Sequence, residues 1–367
     1  MNREYYVSIL SGHEKGIISI PIRFLLSLCA CLYFTVLQTR SALYKYGVAR
    51  RRCLPVKVVS IGNITTGGTG KTPLVEFVAR YLSSKKKKIA ILSRGYGGRT
   101  ASVSVTATST AEVIERDKTG VNDEYLVLNE NLNDIPILLG RDRILNGHKA
   151  IRNFGAEFII LDDGFQHIRL KRDLDIVIID TLNPFAGEYL IPRGMLREPL
   201  KCLERADLFI LSHCNQIHEE DLKTIYAKLR NFNSTIPICE STHHPVHVEN
   251  LADNTKVKTL WLRKKRVYGL CAIGNPQSFA GTLKELDAEV IQFRTFLDHH
   301  AYTQAELDDI IAEAKSLRAD AILVTQKDAV KIRGKNIHDA RIMSLAIEIR
   351  ITKGAKFLEE ALTNMLN

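Results

Sequence analysis

The chain has 367 residues, of which 45% are hydrophobic and 25% charged, a composition typical of folded globular proteins and long enough for two domains. Its 51 Lys and Arg residues exceed its 41 Asp and Glu residues and give a net charge of +10, which indicates anionic partners. The dense basic runs, 50–52 and 85–88, carry no interleaved aromatic side chains, so we predict that nucleic acid is not a partner.

The N-terminal segment is almost continuously apolar from Gly16 to Leu37, apart from Pro21 and Arg23. Its uninterrupted part, which begins at Phe24, is short for a membrane-spanning helix, and no secretory cleavage site follows it. Three interpretations stay open: a core helix, an interfacial helix and a short tilted anchor. Arginines on both sides of the segment favour contact with a membrane surface. We therefore assign residues 1–50 as a membrane-associating segment.

A glycine-rich loop follows the apolar run 56–61 and leads into a helix start, with the sequence Gly62-Asn-Ile-Thr-Thr-Gly-Gly-Thr-Gly-Lys-Thr-Pro73. Backbone N–H groups of such a loop surround nucleotide phosphates, and we expect Lys71 to reach the β- and γ-phosphates and the Thr72 hydroxyl to bind Mg²⁺. Thr65 replaces a glycine of the usual pattern, so this is a variant Walker A loop that predicts ATP or GTP binding. The predicted nucleotide-binding residues are Thr66, Gly67, Gly68, Thr69, Gly70, Lys71 and Thr72.

Short apolar runs alternate with helix-length polar stretches after this loop. The pattern predicts an α/β fold of the P-loop NTPase type, with a mostly parallel sheet covered on both faces and ligands at the carboxyl ends of its strands. The predicted strands are 56–61, 89–92, 135–139, 158–161, 176–179 and 208–211, and the predicted helices are 72–84, 123–131 and 141–154.

Two adjacent carboxylates end one of these strands, in the sequence Phe158-Ile-Ile-Leu-Asp-Asp-Gly-Phe-Gln-His167. A strand-end aspartate on the same sheet as a P-loop is the usual second Mg²⁺ group, and we assign that role to Asp162. Asp163, Gln166 and His167 supply more polar groups than a metal site requires.

The composition shifts near residue 245, after which 267–272, 290–293 and 321–324 are typical of strands in a second, smaller α/β unit. We predict a P-loop domain at 51–245 and a smaller C-terminal domain at 246–367. Seven scattered cysteines without a C-x-x-C pair indicate a reducing compartment and argue against structural zinc. His243, His244 and His247 lack well-spaced partners for a metal, so we interpret them as loop histidines.

These motifs together closely resemble those of the tetraacyldisaccharide 4'-kinases, membrane-associated enzymes that phosphorylate the disaccharide precursor of lipid A. The resemblance runs nearly from end to end, and the P-loop together with the Asp162–His167 element is its most specific part. The further matching elements are Ser93-Arg-Gly-Tyr-Gly97, Asp123-Glu124, Leu196-Arg-Glu-Pro199, Gly274-Asn-Pro276, Asp298-His299 and Thr325-Gln-Lys-Asp-Ala-Val-Lys331.

The resemblance implies transfer of the γ-phosphoryl group of ATP, with Mg²⁺, to the 4'-hydroxyl of an acylated glucosamine disaccharide 1-phosphate, giving lipid IVA. It also implies a location at the cytoplasmic face of the bacterial inner membrane, and no obligate protein partner is predicted. By this resemblance Asp123 matches a carboxylate that works with a histidine, here His299, to activate the sugar hydroxyl. The other implied roles are Mg²⁺ binding by Glu124 and Gln166 beside Thr72 and Asp162, and substrate binding or charge stabilisation by Arg94, Arg143, Asp163 and His167.

The chain departs from the family pattern at Tyr125, where members usually carry proline, and at Arg193, where many carry a small residue. Neither change removes a proposed catalytic group. Two alternatives stay open: a P-loop transferase or ligase for a soluble metabolite, and a nucleotide-switched protein that binds a membrane surface.

Overall fold

The structure is a computed structural model that describes residues 19–95, 104–105, 122–337, 339 and 341–366. Residues 16–18 of the predicted apolar segment, and Tyr96 and Gly97 of the Ser93–Gly97 motif, lie outside the described residues.

One sheet of thirteen strands runs through the described part of the chain. Its strands are β1 (Lys57–Gly62), β2 (Ile89–Ser93), β3 (Ser104–Val105), β4 (Ile137–Leu139), β5 (Phe158–Asp162), β6 (Leu174–Asp180), β7 (Leu208–Ser212), β8 (Ile238–Asn250), β9 (Lys256–Lys258), β10 (Arg266–Cys271), β11 (Glu289–Thr295), β12 (Ala321–Thr325) and β13 (Ile342–Lys353). The helices are α1 (Ser19–Lys45), α2 (Lys71–Ser84), α3 (Asp123–Asn131), α4 (Arg143–Phe154), α5 (Glu219–Phe232), α6 (Pro276–Glu285), α7 (Gln304–Ser316), α8 (Gln326–Ile332) and α9 (Ala355–Asn364).

The strand order is β11-β10-β12-β13-β8-β7-β6-β1-β5-β2-β4-β3, and β9 pairs with β8. Three neighbouring pairs, β3–β4, β8–β9 and β8–β13, are antiparallel in the described sheet, and the others are parallel. The predicted α/β class with a mostly parallel sheet is therefore confirmed.

The central strands are buried on both faces, which explains their continuous apolar sequences. Adjacent residues of β5 enter separate cores: Ile160 packs with Leu74 and Val78 of α2, whereas Ile159 packs with Ala150 of α4. Helices on both faces leave the carboxyl ends of the strands as the open edge of the sheet, where loops can carry functional groups.

The long strand β8 spans the position of the predicted boundary near residue 245. It pairs with β7 on one side and with β13 on the other, so the C-terminal strands continue the same sheet. Pro245 lies where the β8–β13 register shifts, a bulge that accommodates a residue without an N–H donor. The prediction of loop histidines was wrong, because His243, His244 and His247 all lie on this strand. The division into two domains at 245 stays a prediction.

Helix α1 is long and apolar enough to span a membrane by length and composition, and its most apolar 18-residue window has a mean hydropathy of 2.0. None of its most apolar window is buried within the protein, so the core-helix interpretation is wrong.

We predict that Ile160→Ala destabilises the protein by about 2–5 kcal/mol, because it opens a cavity at a fully buried position between β1 and β2. Urea unfolding followed by circular dichroism measures the change. Leu297→Ala is the control, because Leu297 is 57% exposed and its truncation should cost no more than about 0.5 kcal/mol. Equal effects of the two variants would contradict this account of the core.

Candidate active site

The open edge of the sheet forms a cavity of about 830 Å³, a size suited to a nucleotide-sized ligand. It is lined by the P-loop, by the loops after β2 and β5, by helix α1 and by residues of the C-terminal part of the chain. Of the predicted site residues, the structure brings all except Asp123 to its wall: Thr66, Gly67, Gly68, Thr69, Gly70, Lys71, Thr72, Arg94, Glu124, Arg143, Asp162, Asp163, Gln166, His167 and His299.

The P-loop runs from the end of β1 to the first residue of α2, as the sequence predicts. Gly67 and Gly70 adopt positive φ angles of 116° and 88°, a conformation that glycine takes without strain. Nζ of Lys71 lies 3.3 Å from Oδ1 of Asn63 and 3.8 Å from Oδ1 of Asp163. Burial lowers the pKa of Lys71, and the charge of Asp163 opposes this shift. The loop therefore presents a desolvated cation at the N-terminus of a helix, where an anion binds favourably.

Asp162 and Asp163 follow β5 but have different partners. Asp162 accepts one hydrogen bond from Ser93 Oγ at 2.9 Å, and its pKa is raised by burial and by the neighbouring charges of Asp163 and Glu124. Arg197 NH1 lies 2.7 Å from both carboxylate oxygens of Asp163. Burial raises the pKa of Asp163, but Lys71 and Arg197 outweigh it and the net shift is downward. The surroundings of Asp162 thus disfavour its ionised form, whereas those of Asp163 favour it.

The residues predicted for Mg²⁺ fit a hard cation. Oε1 of Gln166 and Oε2 of Glu124 are buried oxygens without a hydrogen-bond partner among the described residues. Both side chains line the cavity with Asp162 and Thr72, so carboxylate, amide and hydroxyl oxygens face the same space. A divalent cation there would relieve the repulsion that raises the pKa of Asp162.

Asp123 and His299 meet although 176 residues separate them. Oδ1 of Asp123 lies 2.8 Å from Nδ1 of His299. The Asp123 side chain is 3% exposed and that of His299 is 37% exposed, so the imidazole faces the cavity and the carboxylate stands behind it. The hydrogen bond to Asp123 raises the pKa of His299, against the effect of burial. Burial acts to raise the pKa of Asp123, but its bond with His299 and nearby charges lower it overall.

Two lysines of α8 lie against the acidic start of α3. Nζ of Lys327 lies 2.6 Å from Oε1 of Glu124, and Nζ of Lys331 lies 3.9 Å from Oδ2 of Asp123. Burial acts to lower the pKa of Lys327, but the charges of Glu124 and Asp123 raise it overall. Helix α8 therefore places positive charge beside both carboxylates, and one oxygen of Glu124 is already engaged.

Three predicted basic residues have different surroundings at the cavity wall. Arg94 is exposed, whereas Arg143 is buried at the start of α4 and donates from NH1 to the carbonyl of Gly140. Burial lowers the pKa of Arg143 to about 10. Burial and the charge of Arg143 lower the pKa of His167 to about 4, so this imidazole is neutral at pH 7.

Several cavity residues were not predicted as site residues. Arg197 and Lys327 belong to motifs that matched the family, but their ion pairs with Asp163 and Glu124 connect distant parts of the chain. Tyr33 and Arg40 of α1 donate hydrogen bonds to the backbone carbonyls of Arg197 and Gln166, at 2.9 and 2.7 Å. The motif sequences give only a weak indication of these ion pairs. The apolar sequence of α1 gives no indication that its side chains form hydrogen bonds beside the site.

A family model described as tetraacyldisaccharide-1-P 4'-kinase (LpxK) matches residues 22–367 of this chain. The chain belongs to this family. Curated members named tetraacyldisaccharide 4'-kinase include one from Halothermothrix orenii, 36% identical over 361 residues, which are 95% of this chain and 94% of the relative. Another, from Pelobacter propionicus, is 32% identical over 99% of this chain and 98% of its own length.

A solved structure supports the same assignment at the level of the fold. It is the crystal structure of an "apo" form of the Aquifex aeolicus family member in complex with ATP. That chain is 27% identical to this one, with a TM-score of 0.71, and the match covers 94% of this chain and all of the other. The resemblance inferred from the motifs is therefore confirmed.

We predict that Asp123→Asn lowers the pKa of His299. The reason is that the carboxylate stabilises the protonated imidazole, and a neutral amide leaves burial as the main influence. NMR titration of ¹³C-labelled histidines measures the shift, and His300, whose partner is Glu306, serves as the internal control. An unchanged or raised pKa of His299 would contradict the electrostatic role given to Asp123.

Proposed function

We propose that the protein uses ATP and Mg²⁺ to phosphorylate the 4'-hydroxyl of tetraacyldisaccharide 1-phosphate, the step of lipid A biosynthesis that gives lipid IVA. Family membership supports this activity. The observation in this structure that supports the kinase activity is that the P-loop and the imidazole of His299 face one cavity. Such a cavity can hold a nucleotide and a hydroxyl acceptor together, with the base close to the phosphoryl donor.

We assign nucleotide binding to the P-loop residues 66–72. Their backbone N–H groups surround the phosphates, and Lys71, held near Asp163, neutralises charge on the β- and γ-phosphates. Thr72, Asp162, Glu124 and Gln166 would hold Mg²⁺, which, when bound, neutralises charge on the transferring phosphoryl group. The bond between the γ-phosphorus and the bridging oxygen breaks, and a bond between the γ-phosphorus and O4' forms. The products are ADP and the 4'-phosphate.

The proton of the 4'-hydroxyl passes to the Asp123–His299 pair in this proposal. The imidazole is the half-exposed member, so we assign the contact with the hydroxyl to His299 and its orientation to Asp123. Arg143 and Arg94 lie where they can neutralise substrate phosphate charge, and His167 offers a neutral imidazole at the same wall. We assign to Asp163 the role of holding Lys71 and Arg197 in place, and not the role of a metal ligand.

We further propose that α1 places the cavity at a membrane surface. One side of the helix, with Tyr33, Leu37 and Arg40, lines the cavity. The other side exposes Leu25, Leu28 and Leu32, which at spacings of three and four residues form an apolar stripe. A substrate with several acyl chains leaves a bilayer only at high cost, so a site beside a membrane-bound helix can reach its headgroup.

The cytoplasmic face of the inner membrane is the location that we propose, because ATP is supplied there and the scattered cysteines suit a reducing compartment. Neither nucleic acid nor an obligate protein partner is part of the proposal.

The kinase test is transfer of labelled γ-phosphate from ATP to tetraacyldisaccharide 1-phosphate in detergent micelles. We expect Lys71→Ala to reduce transfer about 100-fold or more, because it removes a preorganised charge from the transition state. Asp123→Ala should reduce transfer about 100-fold or more while ATP still binds, because general-base catalysis contributes that much. Asp308→Ala, an exposed carboxylate on α7, is the matched control. Normal transfer by Asp123→Ala would refute the base assignment, and ATP hydrolysis without labelled lipid would favour the two alternative functions.

The membrane test is co-sedimentation of the full chain with phosphatidylglycerol vesicles. Replacing Leu25, Leu28 and Leu32 with Gln should weaken binding about tenfold or more, because each leucine loses its apolar contact with the bilayer. The control replaces Leu145, Leu260 and Leu317, which are exposed apolar residues elsewhere, with Gln. Equal binding of the two triple variants would contradict a membrane role for α1.

A further inference from the structure

A chain of polar side chains lies beside the P-loop, with His213 and His243 at the cavity wall, and takes no part in the proposed chemistry. Nδ2 of Asn275, the N-cap residue of α6, donates to Oδ2 of Asp180 at 2.7 Å. Oδ1 of Asp180 lies 2.9 Å from Nδ1 of His213, and Nε2 of His213 lies 3.0 Å from Nδ1 of His243. Four side chains from the ends of β6 and β7, from β8 and from the C-terminal part of the chain are thus joined in series.

The hydrogen bonds of this series indicate which atom donates and which accepts at each step. Asp180, as a carboxylate, accepts from both Asn275 and His213, so His213 carries its proton on Nδ1. In the neutral tautomer of His213 that this arrangement selects, Nε2 accepts from Nδ1–H of His243. The remaining nitrogen of His243, Nε2, is buried and has no hydrogen-bond partner among the described residues. Burial and the proximity of His213 lower the pKa of His243 well below 6.5, so this ring is neutral.

The open end of the series lies against the P-loop. A Cβ atom built on Gly70 would be 2.6 Å from Nε2 of His243, so no side chain fits at position 70. Ser212, the residue before His213, donates from Oγ to the carbonyl of Thr69 at 3.0 Å. Two consecutive P-loop residues, Thr69 and Gly70, are therefore in contact with groups at the end of β7 and on β8.

The opposite end of the series also meets the loop. A Cβ atom built on Gly274 would lie 2.3 Å from the backbone nitrogen of Gly68, so two glycine backbones are in direct contact. Asn275 follows immediately, and its side chain begins the series. The turn at Gly274–Pro276 thus touches the P-loop from one side and, through Asp180 and His213, reaches it from the other.

The composition of this series argues against a simple packing role. His213 is 1% exposed and has a positive φ of 60°, a conformation that is strained for a residue other than glycine. Burying a carboxylate and two imidazoles gains little stability over apolar side chains of similar volume. Strain and buried polarity are found together where geometry must be held accurately.

We propose that Asn275, Asp180, His213 and His243 are positioning residues that hold the P-loop in its phosphate-binding shape and couple that shape to the turn at Gly274–Pro276. None of the four is a catalytic residue. The inference rests on the proposed kinase function only for the identity of the acceptor lipid, since the network acts on the loop that we assign to nucleotide binding.

The test uses the full-length enzyme and two substitutions at different points of the series. His213→Asn retains an amide that can reach Asp180 and breaks the link to His243, and Asn275→Ala removes the first member. Each should raise the Kd for a non-hydrolysable ATP analogue, and the KM for ATP, about tenfold, the value of one hydrogen bond to a charged group. The KM for the lipid should stay within about twofold, because Asp123 and His299, which we assign to the hydroxyl acceptor, lie outside the series.

The double variant tests the coupling. If both residues act through one path, His213→Asn with Asn275→Ala should bind the analogue no more weakly than the worse single variant. His247→Asn is the matched control, since it makes the same substitution on β8 at a half-buried histidine outside the series, and its nucleotide affinity should equal that of wild type.

Unchanged nucleotide affinity in a folded His213→Asn protein, or additive losses in the double variant, would overturn the proposal. Circular dichroism reports folding. Should His213→Asn fail to fold, Asn275→Ala, at a half-buried helix cap, decides alone, and wild-type affinity there would overturn the proposal. Analogue binding is measured without lipid, so a wild-type protein that binds the analogue but phosphorylates no lipid would refute the proposed function and leave this test intact.

Discussion

A concentration of buried carboxylates around one cavity is the constraint on which the site depends. Asp163, Glu124 and Asp123 each lie beside a cation or an imidazole, from Arg197, Lys327 and His299 respectively. Among the described residues, Asp162 has only the hydroxyl of Ser93 as a hydrogen-bond partner, and its pKa is raised by burial and by its neighbours. A divalent cation is the group that would complete this arrangement, and the orphan oxygens of Gln166 and Glu124 face the same space. Charge balance thus separates Asp123 and Asp163, which orient other groups, from Asp162, which would bind metal together with Glu124.

The cations that balance these carboxylates come from distant parts of the chain, and the sheet is what brings them together. Strand β8 pairs with β7 of the P-loop part and with β13 of the C-terminal part, so both groups of strands share one hydrogen-bonded framework. Their carboxyl-end loops then approach each other over the P-loop, where His299 reaches Asp123 and Lys327 reaches Glu124. The same framework carries the Asp180–His213–His243 series beside the loop. The residues that we assign to phosphate binding and to acceptor activation are therefore supported by one sheet.

Helix α1 adds a second kind of environment to this cavity. Its inner side is tied to the body by hydrogen bonds from Tyr33 and Arg40 to backbone carbonyls beside the site. Its outer side is apolar and exposed. A polar, charged cavity therefore opens directly beside an apolar surface, which matches a substrate that has a phosphorylated sugar headgroup and acyl chains.

The sequence alone determined the features that depend on local pattern. Continuous apolar runs predicted the buried central strands, and the glycine spacing predicted the phosphate loop, because strand burial and loop conformation leave residue-by-residue signatures. The boundaries of the six strands and three helices predicted between residues 56 and 211 agree with the structure to within about two residues, which is the usual uncertainty of such ends, whereas the short strand β3 was not predicted.

Tertiary structure alone decided the features that depend on pairing. Strand β8 was missed because Pro245 and three histidines are typical of a loop, and only the bulge opposite β13 shows how the proline is accommodated. The Arg197 and Lys327 ion pairs, and the series from Asn275 to His243, join residues 30 to 203 positions apart. Motif resemblance named Asp123 and His299 as partners, but only their burial shows which of them faces the cavity. Local sequence carries no record of such contacts, because the sheet order that creates them follows from the packing of the whole chain.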